Sequence, residues 1–469
     1  MEIVSKINDA VFSVVGGVPL ITLLLVTGIF MTVRLKGLQF TKLGYVFKSI
    51  FSGLFGKKER VAGAVSPFQA LCTALGSTVG TGSIAGVAGA IAIGGPGAVF
   101  WMWITAFIGM ATKYSEITLA IRFREKNSKG IYVGGPMYYI RNGLGKKWVW
   151  LAWVFSISAI IASFGTGNMV QINTMVCSLD SLIVSFAPSA AGHTDAINLA
   201  AGIVVAVLSA IVLIGGVQRI GAVAEKMIPV MSIVYIVGML GVILSNAGNI
   251  GPAFAMIFKG AFNPSSIGGG LAGTGILVAM RTGVSKGIFS NEAGLGSAPM
   301  AHASAGTKHG PKQGLYGIFE VFTATIVICT LTALTILTSG VPIGYGKAAG
   351  AELTSAAFAS VFGQKASSVF MFLAVSMFAL SSILGWSLYG KRSVEFILGT
   401  KSTVYYNLLY VIMIVVGAVT SMEFVWSFSE TFNCIMAIPN LIAVLALSGT
   451  VTFLTAGYFG KIAKDLKKK

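Results

Sequence analysis

Eleven apolar runs, most of them long enough to cross a hydrocarbon layer as helix, follow one another near residues 11–33, 67–93, 97–121, 148–178, 197–214, 222–245, 268–304, 314–338, 366–390, 403–420 and 424–458. A chain with that pattern must satisfy its backbone within each segment, so it folds as membrane-spanning helices. Composition agrees: 55% of the 469 residues are hydrophobic and only 10% charged, against roughly 25% in soluble domains. Too few charges remain to coat a soluble globule, which excludes a soluble enzyme, a disordered chain and a secreted disulfide scaffold. The fold class is all-α polytopic membrane protein with about 11 transmembrane helices. Cys72, Cys177, Cys329 and Cys434 have no metal-like spacing and there are three His in all, so no zinc or iron site and no cofactor is expected.

The run at 11–33 reads as a span rather than a cleaved signal, because Glu2 and Asp9 precede it, it is too long, and Arg34 and Lys36 close it. The net charge of +18 is concentrated between spans, which favours the positive-inside bias and anionic lipid over nucleic acid. Basic groups fill 34–60 and 122–147, and recur at Arg219 and Lys226, Lys308 and Lys312, Lys391, Arg392 and Lys401, and the last nine residues, whereas 179–196, 246–266 and 420–423 have almost none. All basic segments fall in the cytoplasm if the N-terminus lies outside the cell membrane and the C-terminus inside. That count requires 424–458, interrupted by Pro439 and amphipathic around Trp426, Glu430 and Asn433, to be one bent or partly interfacial span.

Setting aside 1–66, an N-terminal helix and basic loop, leaves ten spans in two five-helix halves of opposite orientation, 67–245 and 246–458, before a Lys-rich tail at 459–469. This is the arrangement of inverted-repeat transporters. The first span of each half is interrupted: Gly76-Ser-Thr-Val-Gly80-Thr-Gly82-Ser-Ile-Ala-Gly86 in one, and Gly287-Ile-Phe289-Ser-Asn-Glu292-Ala-Gly294-Leu-Gly296 in the other. Glycines among hydroxyl and β-branched residues make poor helix, and unsatisfied backbone at bilayer depth survives where it lines a cavity or binds something. The alternatives are close helix packing through the two G-x-x-x-G spacings in the first motif and a polar loop in the second.

A broken helix presents N–H groups on the half that starts and C=O groups on the half that ends. The N–H groups of Thr81 and Gly82 suit a carboxylate; the carbonyls of Thr78, Phe289 and Ser290, or the region of Asn291 and Glu292, suit an ammonium. Together they fit a zwitterionic amino acid, with Gly80 and Gly82 letting backbone approach it. Asn168 and Gln171, three apart on one helix face, offer further polar atoms, or simply bond to a neighbouring helix. Ser381 and Ser382 with the carbonyls of Gly76 and Val79 supply hard oxygen ligands for Na⁺, unless the hydroxyls bond back to their own helix. Lys113 and Glu116, three apart, read as a structural or gating pair. Glu320 relays protons or pairs with a neighbour. Arg281 and Lys286 face a wet vestibule or headgroups, and Glu292 is the most suggestive acid at this depth.

At these residues the sequence resembles the alanine or glycine:cation symporter family, within the leucine-transporter-type fold group. Four segments carry the resemblance: Gly94-Gly-Pro-Gly-Ala-Val-Phe-Trp-Met-Trp-Ile-Thr-Ala-Phe-Ile-Gly109, Phe289-Ser-Asn-Glu-Ala-Gly-Leu-Gly-Ser-Ala-Pro299, Gly167-Asn-Met-Val-Gln171 and Met436-Ala-Ile-Pro-Asn440. The resemblance implies import of small neutral amino acids, mainly alanine and glycine, driven by Na⁺. It implies that Thr78 to Gly82 and Phe289 to Glu292 are the unwound binding segments and that Asn168, Gln171 and Trp386 line the pocket. Phe289 and Trp386 would cap the side-chain space, and Gly76, Val79, Ser381 and Ser382 would match the sodium site. Ser83 departs from the family's usual Asn, which bears on substrate preference and a second ion site. A proton-coupled carrier using Glu292 is the nearest alternative. An ion channel lacks a repeated filter motif. A membrane enzyme lacks a catalytic constellation, since Gly385-Trp-Ser-Leu-Tyr-Gly390-Lys-Arg is one residue short of a P-loop and follows no strand.

Overall fold

A computed structural model describes residues 2–55, 61–262, 275–347, 349–420 and 422–467. The chain opens with α1 (Glu2–Val15) and α2 (Val18–Arg34), and the first apolar run spans Ala10–Arg34 across both. The basic stretch after it holds α3 (Leu38–Thr41) and α4 (Leu43–Phe55); Lys57, Lys58 and Arg60 lie outside the described residues.

A capping box starts α5 (Pro67–Thr78): Ser66 Oγ accepts the Gln69 N–H and Gln69 Oε1 accepts the Ser66 N–H, both at 3.0 Å. The helix stops at Thr78, passes through a short 3₁₀ turn at Thr81–Ser83, and resumes as α6 (Ala85–Gly94), bent by 60°. Then come α7 (Gly97–Arg122), a small hairpin of β1 (Glu125–Lys126) and β2 (Tyr132–Val133), α8 (Pro136–Tyr139), and α9 (Val149–Phe164). A π-helical turn at Gly165–Met169 joins α9 to α10 (Val170–Phe186). After it come α11 (Asp195–Ile214) and α12 (Gly216–Ser245).

The stretch 246–266, read as a connecting loop, contains α13 (Ile250–Phe262). After it come α14 (Gly275–Asn291), α15 (Ala298–His302), α16 (Gly310–Val321), a π-helical stretch at Phe322–Cys329, and α17 (Thr330–Thr338). The chain ends with α18 (Ala351–Phe362), α19 (Gln364–Leu398), α20 (Thr403–Val419), α21 (Met422–Ala446) and α22 (Ser448–Lys467). The region 424–458 is therefore two helices meeting at Leu447, with Pro439 inside the first, and helix continues through most of the Lys-rich end.

Among the described residues, eight helices are long and apolar enough to cross a membrane, nine with the bent α5–α6 pair. The two remaining apolar runs are α7, whose Lys113 and Glu116 are fully buried, and the interrupted α14–α15. Buried ionisable groups keep these helices among protein neighbours rather than lipid. The opposite is seen on α11 and α20, where Val204, Val207, Ile211, Val404, Leu408 and Ile412 are exposed. Such apolar faces suit hydrocarbon, and they leave the functional groups to the inner helices α5, α7, α14, α16 and α19.

Candidate functional site

The first break falls at Val79 and Gly80. Val79 N–H makes the last α5 bond, to Leu75 at 2.7 Å, and the next turn begins with Ser83 N–H to Gly80 at 3.1 Å. The second break starts later than the residue pattern suggested. Phe289, Ser290 and Asn291 are helical, and the unwound stretch begins at Glu292, whose φ is +53°, and includes Gly294 and Gly296 at +91° and +80°. A left-handed non-glycine residue costs about 1–3 kcal/mol. Local bonds hold it: Ser297 Oγ donates to Glu292 Oε2 at 2.5 Å, and Ala293 N–H donates to Asn291 Oδ1 at 3.0 Å.

Between the breaks lies a cavity of about 70 Å³. Thr78, Gly80, Thr81 and Gly82 line it from the first break, Phe289, Ser290 and Glu292 from the second, Gln171 from α10, and Trp386 from α19. Trp386 reaches it because Gly167 is flat beneath it: a Cβ there would overlap the indole's own Cβ and ring. Gln171 Oε1 accepts from the Thr81 hydroxyl at 3.1 Å and from the Thr81 N–H at 3.4 Å.

Two expected residues are elsewhere. Asn168 is fully buried, and its amide donates to the Tyr410 carbonyl at 2.7 Å. The π-helical turn inserts an extra residue and rotates it off the Gln171 face. Asn291 donates to Thr325 Oγ1 at 3.3 Å and lies away from the cavity, because α14 is still helical there and consecutive side chains diverge by about 100°. Ser83 is buried, with its hydroxyl beside the Cys329 thiol.

The oxygen cluster expected for a cation forms mainly around Gly76. Ser381 and Ser382 donate to its carbonyl at 2.9 and 3.1 Å; Ser382 also reaches Ser77 O at 3.3 Å, and Ser381 bonds back to Phe378 O at 2.8 Å. Gly76 permits this approach, since a Cβ would stand 3.2 Å from that of Ser381. Val79 is buried at the adjacent break, with no hydrogen bond to either serine among the described residues.

Above the cavity, Lys286 lines a vestibule as its position suggested, but sequence reasoning did not bring Trp426 and Glu430 to it. Lys286 Nζ pairs with Glu430 Oε1 at 3.1 Å, and Trp426 Nε1 donates to the same oxygen at 3.0 Å. Lys286 and Trp426 line both the cavity and a vestibule of about 520 Å³ that continues along Gly86, Gly89 and Cys177. The amphipathic start of 424–458 was the available signal. The other side is sealed. Val65 N–H donates to Ser304 O at 2.9 Å, Gly306 N–H donates to Val65 O at 2.8 Å, and Arg124 donates to the carbonyls of Ala303, Ala305 and Thr307.

Lys113 and Glu116 do not form the expected pair. Lys113 Nζ lies 3.1 Å from Glu320 Oε1, while Glu116 accepts from the Asn440 amide. Lys113 takes its counter-charge from another helix, because an uncompensated buried charge is far more costly than a paired one, whereas Glu116 takes a neutral amide donor.

A family model described as the sodium:alanine symporter family matches residues 1–469. The sodium/alanine symporter AgcS of Methanococcus maripaludis is 42% identical over the full length of both chains. The probable sodium/glutamine symporter GlnT of Bacillus subtilis is 39% identical over 96% of this chain and 89% of its own. The crystal structure of MhsT in complex with L-phenylalanine superposes with a TM-score of 0.61 at 12% identity, over 84% of this chain and 90% of that one, and so shares its fold. The chain belongs to the sodium:alanine symporter family.

Proposed function

We propose that this protein is a secondary active symporter that brings alanine, glycine or a similarly small neutral amino acid into the cell on a sodium gradient, by alternating access. The observation that carries the reading is one juxtaposition. A cavity of about 70 Å³ lies where both helices break, and the Ser381 and Ser382 hydroxyls converge on the Gly76 carbonyl at the first break. A cavity that small suits a small ligand rather than a bulky one.

In this reading the start of the second half-helix at Thr81 and Gly82 takes the substrate carboxylate. Thr78, Gly80, Phe289, Ser290 and Glu292 surround the ammonium end and backbone, and Gln171 and Trp386 bound the rest. Na⁺, a co-transported substrate, takes Gly76, Val79, Ser381 and Ser382. The two halves, 67–245 and 246–458, act as the inverted repeats, with the N-terminus outside and the C-terminus in the cytoplasm, so the vestibule opens outward. Lipid covers the apolar outer faces.

The deciding test is uptake of labelled alanine and glycine into proteoliposomes with imposed Na⁺ or H⁺ gradients. Na⁺-dependent accumulation, abolished by choline replacement at fixed pH, supports the reading. Unaltered uptake with choline, driven by a pH gradient, replaces it with proton coupling.

A further inference from the structure

One buried carboxylate joins the two broken helices. Glu320, on α16, is fully buried. Its Oε1 accepts from Thr78 Oγ1 at 2.8 Å, and Thr78 is the last residue of α5. Its Oε2 lies 3.0 Å from His302 Nε2, and His302 is the last residue of α15. Lys113 from α7 sits 3.1 Å from Oε1 and balances the charge. Gln313 Nε2 donates to His302 Nδ1 at 2.8 Å, which leaves the ring's proton on Nε2, aimed at Glu320. The Val65 main-chain bonds to Ser304 and Gly306 also join the chain just before α5 to the chain just after α15. So α5 is tied at both of its ends to the C-terminal end of α15: by backbone before its first turn, where the chain is sealed, and through Glu320 at Thr78 beside the cavity.

Thr78 stands two residues after Gly76, the carbonyl on which Ser381 and Ser382 converge. His302 lies on the short helix that follows the Glu292 turn, itself locked by Ser297. Charge-assisted contacts therefore run continuously from the cation cluster on α5 to the helix that follows the second break.

We propose that Glu320 is a positioning residue for coupling: through Thr78 and His302 it makes cation occupancy at the first broken helix set the amino-acid affinity of the site completed by the second. The inference rests on the sodium-symport reading. Coupling of this kind is a ratio of affinities and is separable from affinity itself. A merely structural carboxylate would change stability or overall binding and leave the ratio alone.

The test measures labelled alanine binding to the purified full-length protein at low and at saturating Na⁺, in wild type and in variants that cut one link each. Thr78→Val removes the α5 link and His302→Leu the α15 link; Thr78→Ser and His302→Gln keep a donor at each place. In wild type, saturating Na⁺ should tighten alanine binding about tenfold or more. Both link-cutting variants should bind alanine with a ratio reduced to within about twofold, whereas Thr78→Ser and His302→Gln should keep the wild-type ratio. Link-cutting variants that retain the full sodium dependence would overturn the proposal. Should His302→Leu fail to fold, Thr78→Val decides alone, because it leaves the Lys113–Glu320–His302 cluster intact. A wild-type protein whose alanine affinity ignores Na⁺ sinks the symport reading first and this inference with it.

Discussion

Gln171 Oε1 accepts two hydrogen bonds from Thr81, one from the side chain at 3.1 Å and one from the main chain at 3.4 Å. A neutral acceptor thus stands at the positive end of the second half-helix, where a carboxylate substrate would dock. Gln171→Glu puts a fixed anion there and repels the incoming one. The KM for alanine uptake should rise about 10–100-fold, as expected for a charged contact worth about 1.5–3 kcal/mol. An unchanged KM would mean the carboxylate binds elsewhere.

Ser381 and Ser382 differ in how free their hydroxyls are. Ser381 has a second acceptor in its own helix, Phe378 O, whereas among the described residues Ser382 bonds only to carbonyls of α5, those of Gly76 and Ser77. Removing the hydroxyl should therefore matter more at Ser382. Ser382→Ala should raise the sodium concentration for half-maximal uptake about tenfold, or about 1.4 kcal/mol, and Ser381→Ala by less. A sodium titration of uptake reads both, and equal sodium curves for wild type and Ser382→Ala would remove the hydroxyl from the ion site.

Three glycines near the cavity separate fold from selectivity. A Cβ at Gly80 would strike Ser382 Oγ and come within 3.3 Å of Gln171 Oε1, and one at Gly167 would overlap Trp386, but one at Gly82 meets nothing within 4 Å. Gly167→Ala should lower thermal stability in detergent, by about 1–3 kcal/mol of overpacking. Gly82→Ala should fold normally but take cavity volume, cutting the alanine-to-glycine ratio of kcat/KM about tenfold or more. Competition uptake measures the ratio; no change would place the substrate's side chain away from Gly82.

The Lys286–Glu430 pair, at 3.1 Å, stands between cavity and vestibule, with its side chains about one-quarter exposed. If the pair closes that passage by charge, Lys286→Glu or Glu430→Lys alone should reduce uptake about tenfold, and the exchanged double variant should recover much of it. A double variant no better than the worse single one would assign the two residues separate roles.

Cys177 offers a native reporter. It is exposed and lines the vestibule, while Cys72, Cys329 and Cys434 are buried. A membrane-impermeant thiol reagent should modify Cys177 readily with Na⁺ alone and several-fold more slowly with Na⁺ and alanine together, as the vestibule narrows around substrate. Mass spectrometry of the modified peptide reads the rate, and alanine-independent labelling would argue against closure on that side.

Most of the apolar helices, the first break and most of the cavity lining were legible in the residue order because each rests on local chemistry. Apolar runs of membrane length have one stable backbone solution, and glycines with hydroxyl residues weaken a helix wherever they stand. Three-dimensional packing decided the rest. A π-helical turn at Gly165–Met169 turned Asn168 toward Tyr410, and helix persisting to Asn291 sent its side chain toward Thr325. Lys113 found Glu320 rather than its helix neighbour Glu116, and the short α15 carried His302 to the same carboxylate. Residues hundreds of positions apart share no period or motif, so their meeting depends on how the helices cross. A buried charge takes whichever partner that crossing brings within reach.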